Sequence, residues 1–237
     1  MRRELAARAV YEVGTLVGPY PRLALPVARL RHHGEPVSPA TDVVIEGFPR
    51  SANSLMVSAF VAAQPRPMGV AHHVHAPANA IEGVRRGLPT LVLIREPEDA
   101  VVELVLLKPA LTVAQALRGW LRFYGPLRPH RRRFVVATTA EVTQDPAIAI
   151  RRLNERFATP FALPTSETAE GIRGYWQGRT GPGLPLIGRT TGTEADRDED
   201  RERLRGRYRS SRLETPRRRA ERLYRWYAGG SSELHVL

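Results

Sequence analysis

The chain has 237 residues and no cysteine, which excludes disulfide bonds and thiolate metal sites. Its length and its 42% hydrophobic content suffice for one α/β domain with a core and appended helices. The net charge of +12 comes almost entirely from arginine, since Lys108 is the only lysine. This bias reflects either codon usage or a polyanionic partner.

Residues 1–40 are predicted to form an N-terminal helical segment, with an amphipathic helix over about 3–16 and a second short helix. Glu4 and Glu12 interrupt its apolar stretch, which makes it a poor secretory signal, and no apolar run reaches the ~20 residues that span a bilayer. The helix either packs on the domain or makes a peripheral membrane contact, which its arginines would suit. A cytoplasmic location is the default expectation.

Apolar runs and helical periodicities alternate between residues 41 and 160. Strands are predicted at 42–47, 69–75, 89–96 and 133–138, and helices at 54–63, 77–87, 97–108, 112–127 and from 145 onward. This order predicts a three-layer α/β fold in which helices cover both faces of a mostly parallel sheet of about four to five strands.

The remainder of the chain changes character. Residues 161–197 are rich in Gly, Pro, Thr and Ser, which predicts a long loop or lid, and residues 198–237 are predicted to form two basic helices separated near Pro216. An apolar stripe within the basic tail indicates helices packed on the domain rather than a nucleic-acid arm. We expect the whole chain, 1–237, to form one domain.

The segment "GFPRSANS", residues 47–54, joins the first predicted strand to a helix. Backbone N–H groups at such a turn, with the positive end of the helix dipole behind them, form an anion site. Gly47 permits a tight exit and Arg50 adds charge, although an ordinary capped connection would use similar residues. The second glycine and the lysine of a Walker A loop are both missing, which argues against a magnesium-dependent kinase or ATPase.

Three segments in order resemble the sulfotransferase family. "GFPRSANS" resembles its 5′-phosphosulfate loop, "LIREPEDAVVE" at 93–103 resembles its 3′-phosphate motif, and "RRFVVATTAEVTQDPAIAIRRLNERF" at 132–157 resembles a later conserved stretch. The resemblance covers roughly residues 42–160. It implies a P-loop-like fold, the donor 3′-phosphoadenosine 5′-phosphosulfate as co-substrate, and no metal.

The resemblance also implies roles for single residues. Arg50 would clamp the phosphosulfate, and Ser51, Ala52, Asn53 and Ser54 would line the 5′-phosphate if the turn keeps right-handed backbone angles. Arg95 would bind the 3′-phosphate.

One position departs from the family pattern. Glu103 stands where the family usually has serine, and its carboxylate would repel a phosphate. Either Glu103 turns away, or a later arginine neutralises it, or the donor lacks the 3′-phosphate, or the site is degenerate.

Three histidines follow the second strand, and in the family a histidine near this place often deprotonates the acceptor hydroxyl. His73 and His75 are nearly equal candidates for this base, because histidine titrates near neutrality. Alternation along an extended segment would put these two on one side and His72 on the other. Packed or surface histidines, or a zinc site, are the alternatives.

Other candidates are weaker. Glu141 resembles a family carboxylate that orients an arginine or the acceptor, and Arg179 and Arg189 in the predicted lid are candidates for contacts with the 3′-phosphate or adenosine. Trp120 and its aromatic neighbours on the same helix, Phe123 and Tyr124, indicate core packing rather than a substrate platform.

The prediction for function is a metal-independent sulfuryl transfer to a hydroxyl acceptor, which could be a small molecule, a glycan or a lipid. The alternatives are a catalytically inactive nucleotide-binding or basic interaction protein on the same fold, and a nucleic-acid-binding protein that uses the arginine-rich tail.

Overall fold

The computed structural model describes residues 2–180 and 194–229. Its four strands are β1 (Val43–Gly47), β2 (Val70–His72), β3 (Thr90–Ile94) and β4 (Val135–Thr138). Its helices before β4 are α1 (Arg2–Val17), α2 (Pro21–Leu30), α3 (Asn53–Ala63), α4 (Pro77–Arg85), α5 (Pro97–Leu107) and α6 (Val113–Tyr124). Those after β4 are α7 (Thr139–Gln144), α8 (Ala147–Phe157), α9 (Ser166–Thr180), α10 (Glu194–Tyr208) and α11 (Glu214–Ala228).

The four described strands form one parallel sheet in the order β2-β1-β3-β4. Every residue of β1 and β3 is buried, as expected for central strands covered on both faces. The loops that follow all four strands therefore begin at one edge of the sheet, where ligands of open α/β sheets bind.

Helices cover both faces of this sheet, which confirms the predicted three-layer α/β architecture. Leu91 and Leu93 of β3 belong to a core cluster shared with α3 and α8. Val92 and Ile94 belong to a second cluster that includes α4, α5, α6 and α11. Side chains that alternate along β3 thus contribute to the core on both faces of the sheet.

One expectation about the C-terminal third was wrong. The predicted loop at 161–197 contains the helix α9, and α10 begins at Glu194; the Gly, Pro and Thr content of this segment had favoured a loop. The two basic helices are separated near Pro216, as predicted: the break covers residues 209–213, and Pro216 lies in the first turn of α11, where proline costs no hydrogen bond.

The basic helices pack on the domain, as their apolar stripe predicted. Leu204, Tyr208, Leu223 and Tyr227 are buried in the cluster that contains Trp120 and Tyr124. Within the described residues, no helix is long and apolar enough to cross a bilayer.

Candidate active site

The loop that follows β1 passes close to β3 before entering α3. A Cβ at Gly47 would stand 2.8 Å from the Leu93 carbonyl oxygen, so glycine is needed where the chain leaves the sheet. Phe48 is buried against Phe123, and the Ser51 N–H donates to the Phe48 carbonyl at 3.2 Å. These contacts hold the loop as a compact turn above the sheet edge.

Two residues of this turn have left-handed backbone angles. Arg50 has φ +72° and Ala52 has φ +64°. The expectation of right-handed angles through the turn was therefore wrong. Both residues bear a Cβ, which makes this conformation cost roughly 1–2 kcal/mol each, and the surrounding contacts must hold them there.

The N-terminus of α3 has no side-chain cap. Its N-cap residue is Ala52, which cannot cap, and the N–H groups of Ala52, Asn53 and Ser54 find no acceptor among the residues that the structure describes. One more donor, Arg50 Nε, and one acceptor, Asn53 Oδ1, are also buried without a partner in the described part of the chain. Unused donors at a helix N-terminus favour an anion.

The Tyr124 hydroxyl contacts both β3 and the loop that follows β1. It is fully buried, donates to the Leu93 carbonyl at 2.7 Å and accepts from the Phe48 N–H at 3.3 Å. It also lies 3.4 Å from the Ser51 hydroxyl. Burial raises the pKa of Tyr124, so the phenol stays protonated and keeps donating to β3. The aromatic helix was predicted to be core, and this hydroxyl adds a positioning role that spacing alone did not indicate.

Three arginines surround the mouth of the loop. Arg50 Nη2 lies 3.5 Å from Glu103, and Arg201 Nε of α10 donates to the same carboxylate at 3.2 Å. Of the alternatives for Glu103, the structure matches neutralisation by a later arginine. Arg95 donates to the Arg50 carbonyl at 3.2 Å and lies 3.8 Å from Asp99.

A buried carboxylate fixes the segment after β2. Glu46 is fully buried and accepts from the N–H groups of Gly47, Val74 and His75 and from the Asn79 amide, at 3.0–3.2 Å. Burial raises the pKa of Glu46 to about 7, against the opposing effect of these four donors. Sequence reasoning missed this residue, because a lone glutamate inside a strand gives no motif.

The histidines form one cluster instead of alternating. His73 and His75 have φ +56° and +53°, so the segment is not extended and the predicted alternation was wrong. His72 Nδ1 and His73 Nδ1 are 2.7 Å apart, and the His73 and His75 ring centroids are 5.6 Å apart. Gly34 makes this possible, since a Cβ there would lie 2.4 Å from the His73 carbonyl carbon.

The two candidate bases differ in whether one ring nitrogen has no hydrogen-bond partner in the described chain. His73 Nε2 is 2.9 Å from the Ser54 hydroxyl, so both of its ring nitrogens have partners. His75 Nδ1 donates to the Gly47 carbonyl at 3.0 Å, which leaves its Nε2 as a lone-pair acceptor with no partner in the described chain. Burial lowers the pKa of both histidines to about 4, so both are neutral at pH 7.

The remaining candidates lie elsewhere. Glu141 forms an ion pair with Arg152 and caps α7 together with Thr138. It lines a cavity of about 590 Å³ along β4, which also contains Arg131, Arg132, Arg156 and Trp226. Arg189 lies outside the described residues, and the Arg179 side chain is likewise not described. The described histidines and carboxylates include no group arranged to hold a metal ion.

Comparisons with known proteins give a limited result. No family profile matches the chain, and no curated protein sequence matches it. Among solved structures, mouse sulfotransferase SULT7A1 complexed with PAP is similar at 12% identity and a TM-score of 0.47, over 83% of this chain and 87% of that one. At this identity and TM-score, the match assigns no function to the present chain.

Proposed function

We propose that the protein transfers a sulfuryl group from 3′-phosphoadenosine 5′-phosphosulfate to a hydroxyl acceptor. The observation that carries this proposal is the uncapped start of α3, where the N–H groups of residues 52–54 have no acceptor in the described chain and follow Arg50 in the same turn. The order of the three sequence motifs adds independent support.

We assign the three anionic groups of the donor to separate described residues. The N–H groups at 52–54 and the hydroxyl of Ser54 would bind the 5′-phosphate, and Arg50 would bind the sulfuryl end. Arg95, at the end of β3, would bind the 3′-phosphate. Positive charge from arginine and backbone amides would stabilise the in-line transfer that other enzymes assist with a cation.

His75 is the better candidate for the base. Its Nδ1–H is held by the Gly47 carbonyl, so Nε2 is free to take the proton from the acceptor hydroxyl. The acceptor oxygen then bonds to sulfur as the bond from sulfur to the bridging phosphate oxygen breaks, releasing adenosine 3′,5′-bisphosphate. Glu46 lies 3.8 Å from His75 Nδ1 and, when its carboxyl group is ionised, would stabilise the imidazolium that forms. Its pKa of about 7 makes this ionisation partial at neutral pH.

Binding of adenosine 3′,5′-bisphosphate, measured by calorimetry, tests the site. Arg50→Ala should weaken binding by about tenfold or more, because a charge-assisted hydrogen bond contributes more than the ~1.4 kcal/mol that corresponds to tenfold. Arg66→Ala, which removes an exposed arginine just beyond α3, is the matched control and should bind normally. Equal binding by both variants would remove Arg50 from the site.

Transfer itself needs a second measurement. Radiolabelled donor and a panel of phenol, glycan and lipid alcohols should give a labelled product that His75→Gln abolishes while nucleotide binding persists. Binding without transfer by the wild type would support the inactive nucleotide-binding alternative.

The alternative of a basic interaction protein has one observation in its favour. The cavity along β4 contains four arginines, of which only Arg152 pairs with a carboxylate of the described chain. If an anionic partner binds there, Arg131→Ala should weaken that binding and leave adenosine 3′,5′-bisphosphate binding unchanged.

A further inference from the structure

Helix α1 is attached to the domain by polar side chains and by Tyr11, which packs against the core cluster that contains α6. Arg8 Nε donates to the Ala110 carbonyl at 2.6 Å, and the Glu12 carboxylate pairs with both Arg118 and Arg122 of α6. Thr15 accepts from Arg122 at 2.9 Å. An amphipathic helix on a water-soluble surface normally turns its apolar side inward. Helix α1 turns Tyr11 inward but leaves a stripe of aliphatic side chains facing outward.

The apolar side of α1 is exposed. Leu5, Val10, Val13 and Leu16 are each more than half exposed, and no residue of α1 is buried. At 100° per residue these four side chains span an arc of about 140°. Its centre lies roughly 120° around the helix from the centre of the side that holds Arg8, Glu12 and Thr15, and the two sides adjoin where Leu5 stands next to Glu12. Exposure of a whole stripe differs from the scattered single exposed side chains that are normal for proteins.

Helix α2, which contacts α1, continues the pattern. It packs on α4 through Ala24, Leu25 and Ala28, while Leu23, Val27 and Leu30 point to solvent, Leu30 with 82% of its surface exposed. We call the exposed set the apolar surface: Leu5, Val10, Val13, Leu16, Tyr20, Leu23, Val27 and Leu30. Of the ten large hydrophobic residues exposed in the described chain, these are eight.

The charges around the apolar surface favour one kind of partner. Segment 2–31 contains six arginines and two glutamates, and Glu12 is already paired with α6. Arg2, Arg3, Arg22 and Arg31 are exposed and have no carboxylate partner among the described residues. A second copy of this chain, with its own net charge of +12, would be repelled, whereas a surface of anionic lipid headgroups would be attracted.

From this juxtaposition of an outward apolar stripe with unpaired arginines, we propose that α1 and α2 lie in the interface of a bilayer that contains anionic lipids. The apolar surface would enter the acyl boundary while the arginines reach the headgroups, as in other interfacial helices. This inference is independent of the sulfotransferase proposal, because it uses none of the residues of the loop after β1.

Flotation of the full chain with vesicles tests the proposal. The wild type should bind vesicles of 70% phosphatidylcholine and 30% phosphatidylglycerol, and should bind pure phosphatidylcholine more weakly. The triple variant Leu5→Gln, Val13→Gln, Leu16→Gln keeps good helix formers and should lower the partition coefficient by about tenfold or more. Arg3→Gln together with Arg22→Gln should weaken binding to the anionic vesicles only.

The matched control is Val61→Gln with Leu163→Gln, which changes the two exposed large hydrophobics outside the apolar surface and should bind like the wild type. Unchanged melting temperatures establish that the variants fold. Failure of the wild type to float with either vesicle would overturn the proposal, as would equal flotation of the triple variant. A wild-type dimer in light scattering that the triple variant makes monomeric, without vesicle binding, would assign the surface to a second copy instead.

Discussion

Ala52 and Ala158 are two alanines in the left-handed region, one in the candidate site and one at the end of α8. Replacing either by glycine relieves roughly 1–2 kcal/mol of backbone strain and costs about 0.4–1 kcal/mol of unfolded-chain entropy. We therefore expect Ala52→Gly and Ala158→Gly each to raise the free energy of unfolding by up to about 1.6 kcal/mol, measured by urea denaturation.

A bulkier side chain at residue 52 should have the opposite effect on stability. Ala52→Val places a β-branched side chain at positive φ and should lower the free energy of unfolding by more than about 1 kcal/mol. A tolerated valine, or a destabilising glycine, would mean that residue 52 does not adopt the left-handed angles on which the geometry of the free N–H groups depends.

Sequence reasoning placed residues of the loop correctly on the chain and missed their conformation. Gly47, Arg50 and Ser54 could be assigned to a strand-to-helix turn because a short continuous apolar run is followed there by apolar residues at helical spacing. The positive φ values of Arg50, Ala52, His73 and His75 gave no signal, since none is a glycine. Their angles follow from tertiary contacts, such as the approach of Gly34 to His73, which join residues far apart in sequence.

Helices α5 and α10 are joined by a ladder of ion pairs beside the candidate site. Arg201 and Arg205 of α10 and Arg209, the residue after its end, follow at spacings of four, and they reach Glu103, Asp99 and Glu98 of α5. The charged residues were visible in the sequence, but only the fold shows that the two helices face one another. The ladder presents Arg201 at the mouth of the loop, a residue that no motif indicated.

Glu103 is the last carboxylate of this ladder and lies where a 3′-phosphate would bind. Its removal should therefore lower stability but raise the affinity for the nucleotide. Glu103→Gln leaves Arg50 without a carboxylate and leaves Arg201 with Asp198 alone, so it should lower the free energy of unfolding by about 1 kcal/mol. It also removes a negative charge near the phosphates and should tighten binding of adenosine 3′,5′-bisphosphate severalfold, a change of roughly 1 kcal/mol. Denaturation and calorimetry on the same variant measure both effects.

The control for this prediction lies on the same helix. Glu98→Gln removes a carboxylate that pairs with Arg205 and Arg209, so it should reduce stability without changing nucleotide affinity. If both variants change affinity alike, the ladder acts on the site as a whole and Glu103 has no special position in it.

At the scale of the whole molecule, the layers were predictable and the orientation of the outer helices was not. Alternating strands and helices between residues 41 and 160 specify a parallel sheet with two covered faces, because few other packings bury such strands. Amphipathicity identified α1 as a surface helix, but it could not tell which side faces the domain. That choice depends on Arg118 and Arg122, which bind Glu12 from another helix.

The dependence of the free energy of unfolding on pH is set in part by two buried histidines and by Glu46. His73 and His75 have pKa values lowered to about 4, so their contribution to stability is present above the unfolded value near 6.5 and is lost as pH falls from there toward 4. Glu46, with its pKa raised to about 7, acts in the opposite sense: its contribution is full below about 4.5 and is lost as pH rises through 7. Two histidines outweigh one glutamate, so the free energy of unfolding should fall between pH 7.5 and pH 5.

His75→Gln tests this balance because it removes one of the two histidines whose pH dependence opposes that of Glu46. The difference in unfolding free energy between pH 7.5 and pH 5 should shrink by roughly 1–2 kcal/mol, since each pKa unit corresponds to about 1.4 kcal/mol and the His75 side chain keeps some solvent contact. His32→Gln, at an exposed position outside the cluster, should leave the difference unchanged. Denaturant titrations at the two pH values measure it, and an unchanged difference in His75→Gln would mean that this imidazole is not held neutral by burial.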